Sequence, residues 1–247
     1  MGMDFIVGID DTDNLESRGT GHRARMLGLG LMEASIAELK SITRHQLFVS
    51  PLIPYTSHNS SASLVFSGVK DKNLLIDYCR NFLLRESAEG SDAGLCIAET
   101  EKISEAVQGW GRNAKSIVLK MDEAKELATQ SGIFLEGLTG EKCGIIGALA
   151  AVGLRKEGND GRLLWLRHLR ETSGLFTVAE IKQRLSLDQV LDMNLNPVAP
   201  NETALIGDWS RPVMMKNSIT LLLQKNQTNE EPAYTSAPKE FIKSISG

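Results

Sequence analysis

The stretch Asp4-Phe5-Ile6-Val7-Gly8-Ile9 is apolar from its second residue onward and stops abruptly at Asp10-Asp11-Thr12-Asp13. A run this short, rich in β-branched residues and bounded by acids, reads as a buried strand rather than a helix. The three carboxylates behind it repel one another, and at a buried strand end they raise each other's pKa unless a cation sits among them. The strand must therefore end where water or a ligand is available, and the carboxyl ends of strands are where open α/β sheets place ligands. Mg²⁺ takes hard oxygen donors, typically one or two carboxylates together with substrate phosphates. The functional reading is a Mg²⁺–nucleotide site with Asp10, Asp11 and Asp13 as metal ligands. The alternative is an acidic turn in which Asp13 or Asn14 caps a local bend.

The following residues set the order of elements. Apolar positions recur at helical spacing from His22 to Lys40, and Gln46 to Ser50 is β-like until Pro51 and Pro54 interrupt it. Ala62–Phe66 is a second apolar strand, Asp71 is placed to cap a helix from Lys72 to Arg85, and Gly94–Ala98 is a further strand. The order β-α-β-β-α-β is the ferredoxin-like pattern. Beyond it, helices are expected over Glu99–Trp110 (stopping near Gly111), Asp122–Gln130 (with Gly132 as its stop), Gly144–Lys156 and Val178–Leu185. Thr203–Gly207 and Ser218–Leu223 read as a late β-hairpin, and the chain after Gln224 as a polar, weakly packed tail. The expected class is α+β: a ferredoxin-like unit over 1–98, a helix-rich part over 99–224 and a tail over 225–247.

Composition narrows the function classes. The 247 residues are 42% hydrophobic and 23% charged with a net charge of −4, a globular mixture without the basic excess of a nucleic-acid coat protein. No apolar run reaches the roughly 20 residues of a membrane span, and the N-terminal run meets Asp10 too soon for a signal peptide. Cys79, Cys96 and Cys143 show no zinc-ligand spacing with one another or with the histidines. With apolar neighbours around Cys96 and Cys143 they read as buried reduced thiols, and the expected compartment is the cytoplasm. One local cluster, Arg155, Lys156, Arg162, Arg167 and Arg170 against Glu157 and Asp160, is either a solvated face or a phosphate seat.

Three loops add candidates. Arg18-Gly19-Thr20-Gly21-His22 precedes the first long helix, where Gly19 and Gly21 allow close backbone approach and free N–H groups attract anions. It is not a Walker A loop. Thr20 is a hydroxyl nucleophile or an N-terminal cap, and His22 a base or a first-turn surface residue. Pro54–Ser61 is a hairpin connection or a binding loop whose Tyr55, His58 and Asn59 would meet the substrate. Gly140–Ala148 places Lys142, Gly144 and Gly147 at another helix start, as a second phosphate or adenine contact or as tight helix packing.

Val7-Gly8-Ile9-Asp10-Asp11-Thr12-Asp13, Ile53-Pro54-Tyr55 and Gly144-Ile145-Ile146-Gly147-Ala148-Leu149-Ala150-Ala151-Val152-Gly153 occur in the order found in the archaeal isoleucine-tRNA agmatinylcytidine synthetase (TiaS) family, which the chain resembles over about 150 residues. Asp122-Glu123-Ala124 is similar too. The resemblance covers the part of that enzyme that binds ATP and phosphorylates a cytidine before agmatine displaces the phosphate. It implies that Asp10, Asp11, Asp13 and Thr12 handle Mg²⁺ and ATP phosphates and that Gly144–Gly147 borders the nucleotide. The chain departs from the family in three ways. It is too short for the OB-fold and zinc ribbon and lacks the zinc cysteines. The threonine pair after the aspartates is replaced, so that either His22 or Thr20 stands at the acceptor position. The basic residues of the polar loop become Ser57 and His58, although Asn59 fits.

The expected activity is thus an ATP- and Mg²⁺-dependent phosphotransferase with Asp11, Thr20 and His22 in catalytic roles. Its acceptor would be nucleoside-like, RNA or a small molecule, with no membrane partner and with a partner chain or a second copy as an option. The competing reading is a nucleotide sensor that keeps the site without the chemistry. Haloacid-dehalogenase-type phosphatases and actin-like sugar kinases also follow a strand with aspartates. Asp11-Thr12-Asp13-Asn14-Leu15 fails the DxDx[TV] pattern of the first at its last position, and Asp11 stands where the second prefer glycine.

Overall fold

A computed structural model of the chain describes residues 2–53, 59–226 and 232–246. It divides into two compact units, Met1–Glu157 and Gly158–Gly247. The boundaries expected at 98 and 224 fall inside these units. The helices after residue 98 bury their apolar faces on the first sheet, so they share its core.

Unit 1 contains β1 (Met3–Asp10), α1 (Thr20–Glu33), β2 (Glu38–Gln46), β3 (Ser60–Val69), α2 (Lys72–Glu86), β4 (Gly94–Glu99), α3 (Glu105–Asn113), α4 (Met121–Gln130), β5 (Phe134–Gly137) and α5 (Ile145–Glu157). Its sheet runs β5-β4-β1-β3-β2 with every neighbouring pair antiparallel. The β4-β1-β3-β2 core is the ferredoxin-like arrangement that the order of elements predicts, and β5 extends it beside β4. Phe5, Val7 and Ile9 share one face of β1 and are fully buried; their β3 partners include Phe66 and Leu64. α1 lies over β2 and β3 on that side. Ile6, Cys96 and Ala98 face the other way, into a core built with α3, α4 and α5.

The close seat of α5 explains its run of small residues. A Cβ on Gly8 would sit 2.0 Å from the Ala148 carbonyl oxygen, and one on Gly94 would sit 2.1 Å from the Gly144 backbone. Backbone meets backbone there, so no side chain fits. Asp71 caps α2 by accepting from Asn73 N (2.8 Å) and Leu74 N (3.2 Å), as the sequence predicts. Gly132 (φ +62°) closes α4 as expected.

Several expectations need correction. The helix predicted to run to Lys40 ends at Glu33, with Ser35 at φ +56°, and Glu38 already begins β2. Gln46–Ser50 is therefore the end of β2 and a loop. The expected helix stop at Gly111 lies within α3; that glycine instead admits α5, since a Cβ there would come 2.8 Å from Leu154 N. Cys143 is half-buried rather than buried.

Unit 2 contains β6 (Arg162–Trp165), β7 (Gly174–Thr177), α6 (Val178–Arg184), β8 (Gln189–Asp192), β9 (Thr203–Ile206), β10 (Val213–Met215), β11 (Ser218–Lys225), β12 (Tyr234–Ser236) and α7 (Lys239–Ile245). The strands run β6-β10-β11-β12-β9-β7, with β8 parallel to β11. This part is richer in strand than expected. A late hairpin is present, but its arms are β10 and β11, turned by Lys216 (φ +50°) and Asn217 (φ +59°). Thr203–Ile206 pairs with β7 and β12 instead. The described part of the expected weakly packed tail returns to the core through Ala237 and Ile242. Arg155 and Lys156 close α5, whereas Arg162, Arg167 and Arg170 belong to unit 2. Among the described residues, no helix is long and apolar enough to cross a membrane.

Candidate functional site

A cleft of about 160 Å³ opens in unit 1 where β1 ends and α5 begins. Asp10, Asp11, Asp13 and Thr20 line one end, with Asn59, Ser60, Cys143, Gly144 and Gly147 beside them. The rest of the lining is largely apolar, from Leu47, Leu52, Ile53, Ile117, Val118 and Ile146 among others. No lysine or arginine lines the cleft among the described residues.

The acidic end is built by the strand. Asp10 closes β1 on the face that carries Gly8, and its carboxylate tucks under the first turn of α5. A Cβ on Gly147 would lie 1.8 Å from Asp10 Oδ2. Burial first, then the neighbouring charge of Asp11, raises Asp10 to about 8. The backbone then turns sharply, with Asp11 at φ +49°, a left-handed conformation that aspartate tolerates better than most side chains. Burial, with the charges of Asp92 and Asp13 added, raises Asp11 to about 6.

Asp13 has a second task. Its Oδ1 accepts from Thr20 N (3.1 Å) and from Thr20 Oγ1 (2.7 Å), so it caps the start of α1. The acidic-turn reading is therefore realised in part. Thr12 is buried beneath and donates its hydroxyl to Thr20 Oγ1 at 3.1 Å. Thr20 consequently sits in a chain from Thr12 through its own hydroxyl to Asp13.

The structure also brings in a residue that sequence reasoning missed. Asp92, in the loop before β4, accepts from Cys143 Sγ at 3.3 Å through Oδ2, and its Oδ1 accepts from Glu141 N. Ligand atoms of Asp11, Asp92 and Cys143 all lie within 4.8 Å of one another, a spacing that suits a metal ion. Two carboxylate charges within 4.8 Å of one another repel, and a cation between them would relieve that repulsion. The same environment, burial first and then Asp92, pushes the Cys143 thiol up to about 12, so it is a donor rather than a thiolate in the absence of a cation. Nothing in Ser91-Asp92-Ala93 marks this aspartate; only the fold sets it beside Asp11.

Several expected site residues lie elsewhere. Gly19, Gly21, His22 and Lys142 do not line the cleft. The helix start that was to receive an anion through Gly19 and Gly21 already receives Asp13. Lys142 is exposed at φ +68° beside Gly137, because the loop before α5 turns its side chain outward. Asn59 lines the cleft, but its carboxamide donates to the Phe48 carbonyl at 2.7 Å and so ties β3's entry to the loop after β2. Tyr55 and His58, together with most of Ile53-Pro54-Tyr55, lie outside the described residues.

The fold and site define a class: a ferredoxin-like α+β unit that presents clustered carboxylates at the end of its first strand, in a cleft with a largely apolar lining. Comparison with known proteins gives that class particular relatives. No family profile matches the chain. An uncharacterized protein of Methanocaldococcus jannaschii is 30% identical over 150 residues, 60% of this chain and 49% of that one. The solved structure of a tRNA fluorescent labeling enzyme is similar at 26% identity and a TM-score of 0.54, and that of a complex of TiaS with tRNA and ATP at 26% identity and 0.53. Each similarity covers 61% of this chain and 36% of the solved one. The chain thus has a TiaS-like fold over part of its length. It spans about half of the curated relative and about a third of the solved chains.

Proposed function

We propose that this chain is an ATP- and Mg²⁺-dependent phosphotransferase built on a TiaS-like core, with a nucleoside, RNA or small-molecule acceptor. The observation that carries this reading is the polarity of the cleft. Three carboxylates gather at the end of β1, no lysine or arginine lines the cleft among the described residues, and much of the remaining lining is apolar and suited to a base. A triphosphate entering such an end meets repulsion unless divalent ions come with it. The donor set fits such ions: Asp10 and Asp11 are hard oxygen ligands whose pKa values are raised first by burial and then by neighbouring carboxylates, a cost that a bound cation would offset. The ATP in one TiaS complex supports the choice of nucleotide.

Magnesium, when bound, supplies charge neutralisation on the transferring phosphoryl group. The chain's own residues do the rest. Asp10 and Asp11 hold the metal, the first turn of α5 at Gly144–Gly147 borders the nucleotide, and the apolar lining excludes water from the base. Thr20 is the hydroxyl in this chain best placed to receive or relay a phosphoryl group. Its Oγ1 lies 2.7 Å from Asp13 Oδ1, the distance at which a carboxylate takes a proton. His22, off the cleft, is given no such role.

A second reading, a sensor that binds ATP without consuming it, is favoured by that same hydrogen bond, because a hydroxyl held between Thr12 and Asp13 is not free to attack. Incubation with γ-labelled ATP and Mg²⁺, followed by mass spectrometry of the protein, separates the two. The phosphotransferase releases ADP and carries label on Thr20 or passes it to an added acceptor, and Asp11→Asn abolishes this. Binding without turnover selects the sensor. No binding of Mg²⁺·ATP sinks both.

A further inference from the structure

Three loops converge at the acidic end of the cleft, and their hydrogen bonds form one continuous strap. The loop after β1 joins the loop after α2 through Ala88 N to the Thr12 carbonyl (3.0 Å) and Asn14 Nδ2 to the Glu89 carbonyl (3.1 Å). The loop after α2 in turn grips the loop before α5. Thr139 Oγ1 donates to the Ser91 carbonyl (2.7 Å), and Gly144 N donates to the Asp92 carbonyl (3.0 Å). Asp92 sits between the two junctions and faces Asp11 from one loop and Cys143 from another.

One buried charge stands at the root of this strap. Arg23, on the inner side of α1, is only 9% exposed. Its Nε donates to the Glu86 carbonyl at 2.6 Å, at the last residue of α2, and its Nη1 donates to the Arg18 carbonyl. Both partners are backbone oxygens, one on the loop after β1 and one at the end of α2 where the loop carrying Asp92 begins. The carboxyl end of a helix carries partial negative charge, which favours a guanidinium there. The guanidinium donates to the two carbonyls from separate nitrogens held in fixed directions, whereas a lysine would have to serve both from a single nitrogen.

We infer that Arg23 is a positioning residue that locks the acidic loop against the Asp92 loop, in the one arrangement in which Asp11, Asp92 and Cys143 converge. It touches neither the cleft nor any reacting atom. Its expected effect on Mg²⁺·ATP affinity rests on the proposed function; its effect on the loops does not.

The test uses the full chain and compares wild type with Arg23→Lys, Arg23→Met and the milder Asn14→Ala at a half-buried site. Amide hydrogen exchange is read at Ala88 and Thr20, whose N–H groups report the strap, and at Val7 in the central strand. Both Arg23 variants are expected to exchange at least tenfold faster at Ala88 and Thr20 with Val7 unchanged. Asn14→Ala should show a smaller increase at Ala88. Excess Mg²⁺·ATP should restore protection in the variants, and their affinity for it should fall at least tenfold. Unchanged exchange at Ala88 and Thr20, or equal acceleration at Val7, overturns the inference, the latter because Arg23 would then serve global stability alone. If wild type shows no Mg²⁺·ATP binding, the nucleotide reading fails while the exchange comparison still decides the role of Arg23. Should both Arg23 variants fail to fold, Arg23 serves global stability rather than loop position, and the inference is overturned.

Discussion

Asp10 and Asp11 hold protons at pH values where an aspartate in water has lost them. Their ordinary value is 3.8, and in the fold they rise to about 8 and about 6. The folded state therefore binds more protons than the unfolded chain between these limits. The stability they contribute is fully present below about pH 4 and is lost as pH rises through about 6 and then about 8. Without divalent ions, the melting temperature is expected to fall more steeply across this window in wild type than in Asp10→Asn. Added Mg²⁺ should restore most of the loss at the alkaline end. Thermal scans with chelator and with Mg²⁺ check this; a variant whose slope equals that of wild type removes Asp10 from the crowded set. Gly147 sets the companion prediction. Gly147→Ala drives a methyl to 1.8 Å from Asp10 Oδ2, so it should cost about 1–3 kcal/mol of stability in denaturant titrations and expel the carboxylate from its seat under α5. Divalent-ion affinity should drop with it. At this scale the Asp10–Asp13 cluster was legible because it is contiguous. Asp92 and Cys143 were not, since their meaning comes from two loops that approach Asp11 only in space.

The elements show where local pattern suffices and where packing overrides it. α2 is readable from end to end: Asp71 supplies two capping bonds and an amphipathic run follows. Asp71→Ala is expected to cost about 1 kcal/mol in chemical denaturation and to leave Mg²⁺·ATP binding unchanged, as the cap lies outside the cleft lining. α1 is shorter than its periodicity suggests. Leu39 keeps helical spacing with Leu31 and with Ile36, but Ser35 takes a left-handed conformation and Leu39 faces Gly28 from the adjoining strand β2. Two periodicities overlap over Ile36–Lys40, and tertiary contact selects the strand. Short strands such as β5, β6 and β10 have only three or four residues each, too few for alternation to register.

Across the molecule, each compact unit carries a core of its own. The whole candidate cleft and the strap behind it lie within Met1–Glu157. A chain ending at Glu157 is accordingly expected to melt cooperatively and to bind Mg²⁺·ATP as the full chain does. A fragment without a cooperative transition in circular dichroism would show that the first core is incomplete without the residues after it. The amino-acid order alone determined the ferredoxin-like succession of elements, the acidic strand end and the small-residue helix. Each rests on neighbours along the chain: apolar runs, turn residues and contiguous charges. Tertiary structure alone decided that Asp13 caps α1, that Lys142 turns outward, that Gly111 admits a helix rather than ending one, and that Asp92 and Cys143 join Asp11. Those outcomes depend on which surfaces meet when the sheet closes under α5. Local sequence constrains that meeting only through the sum of all the packing it must satisfy.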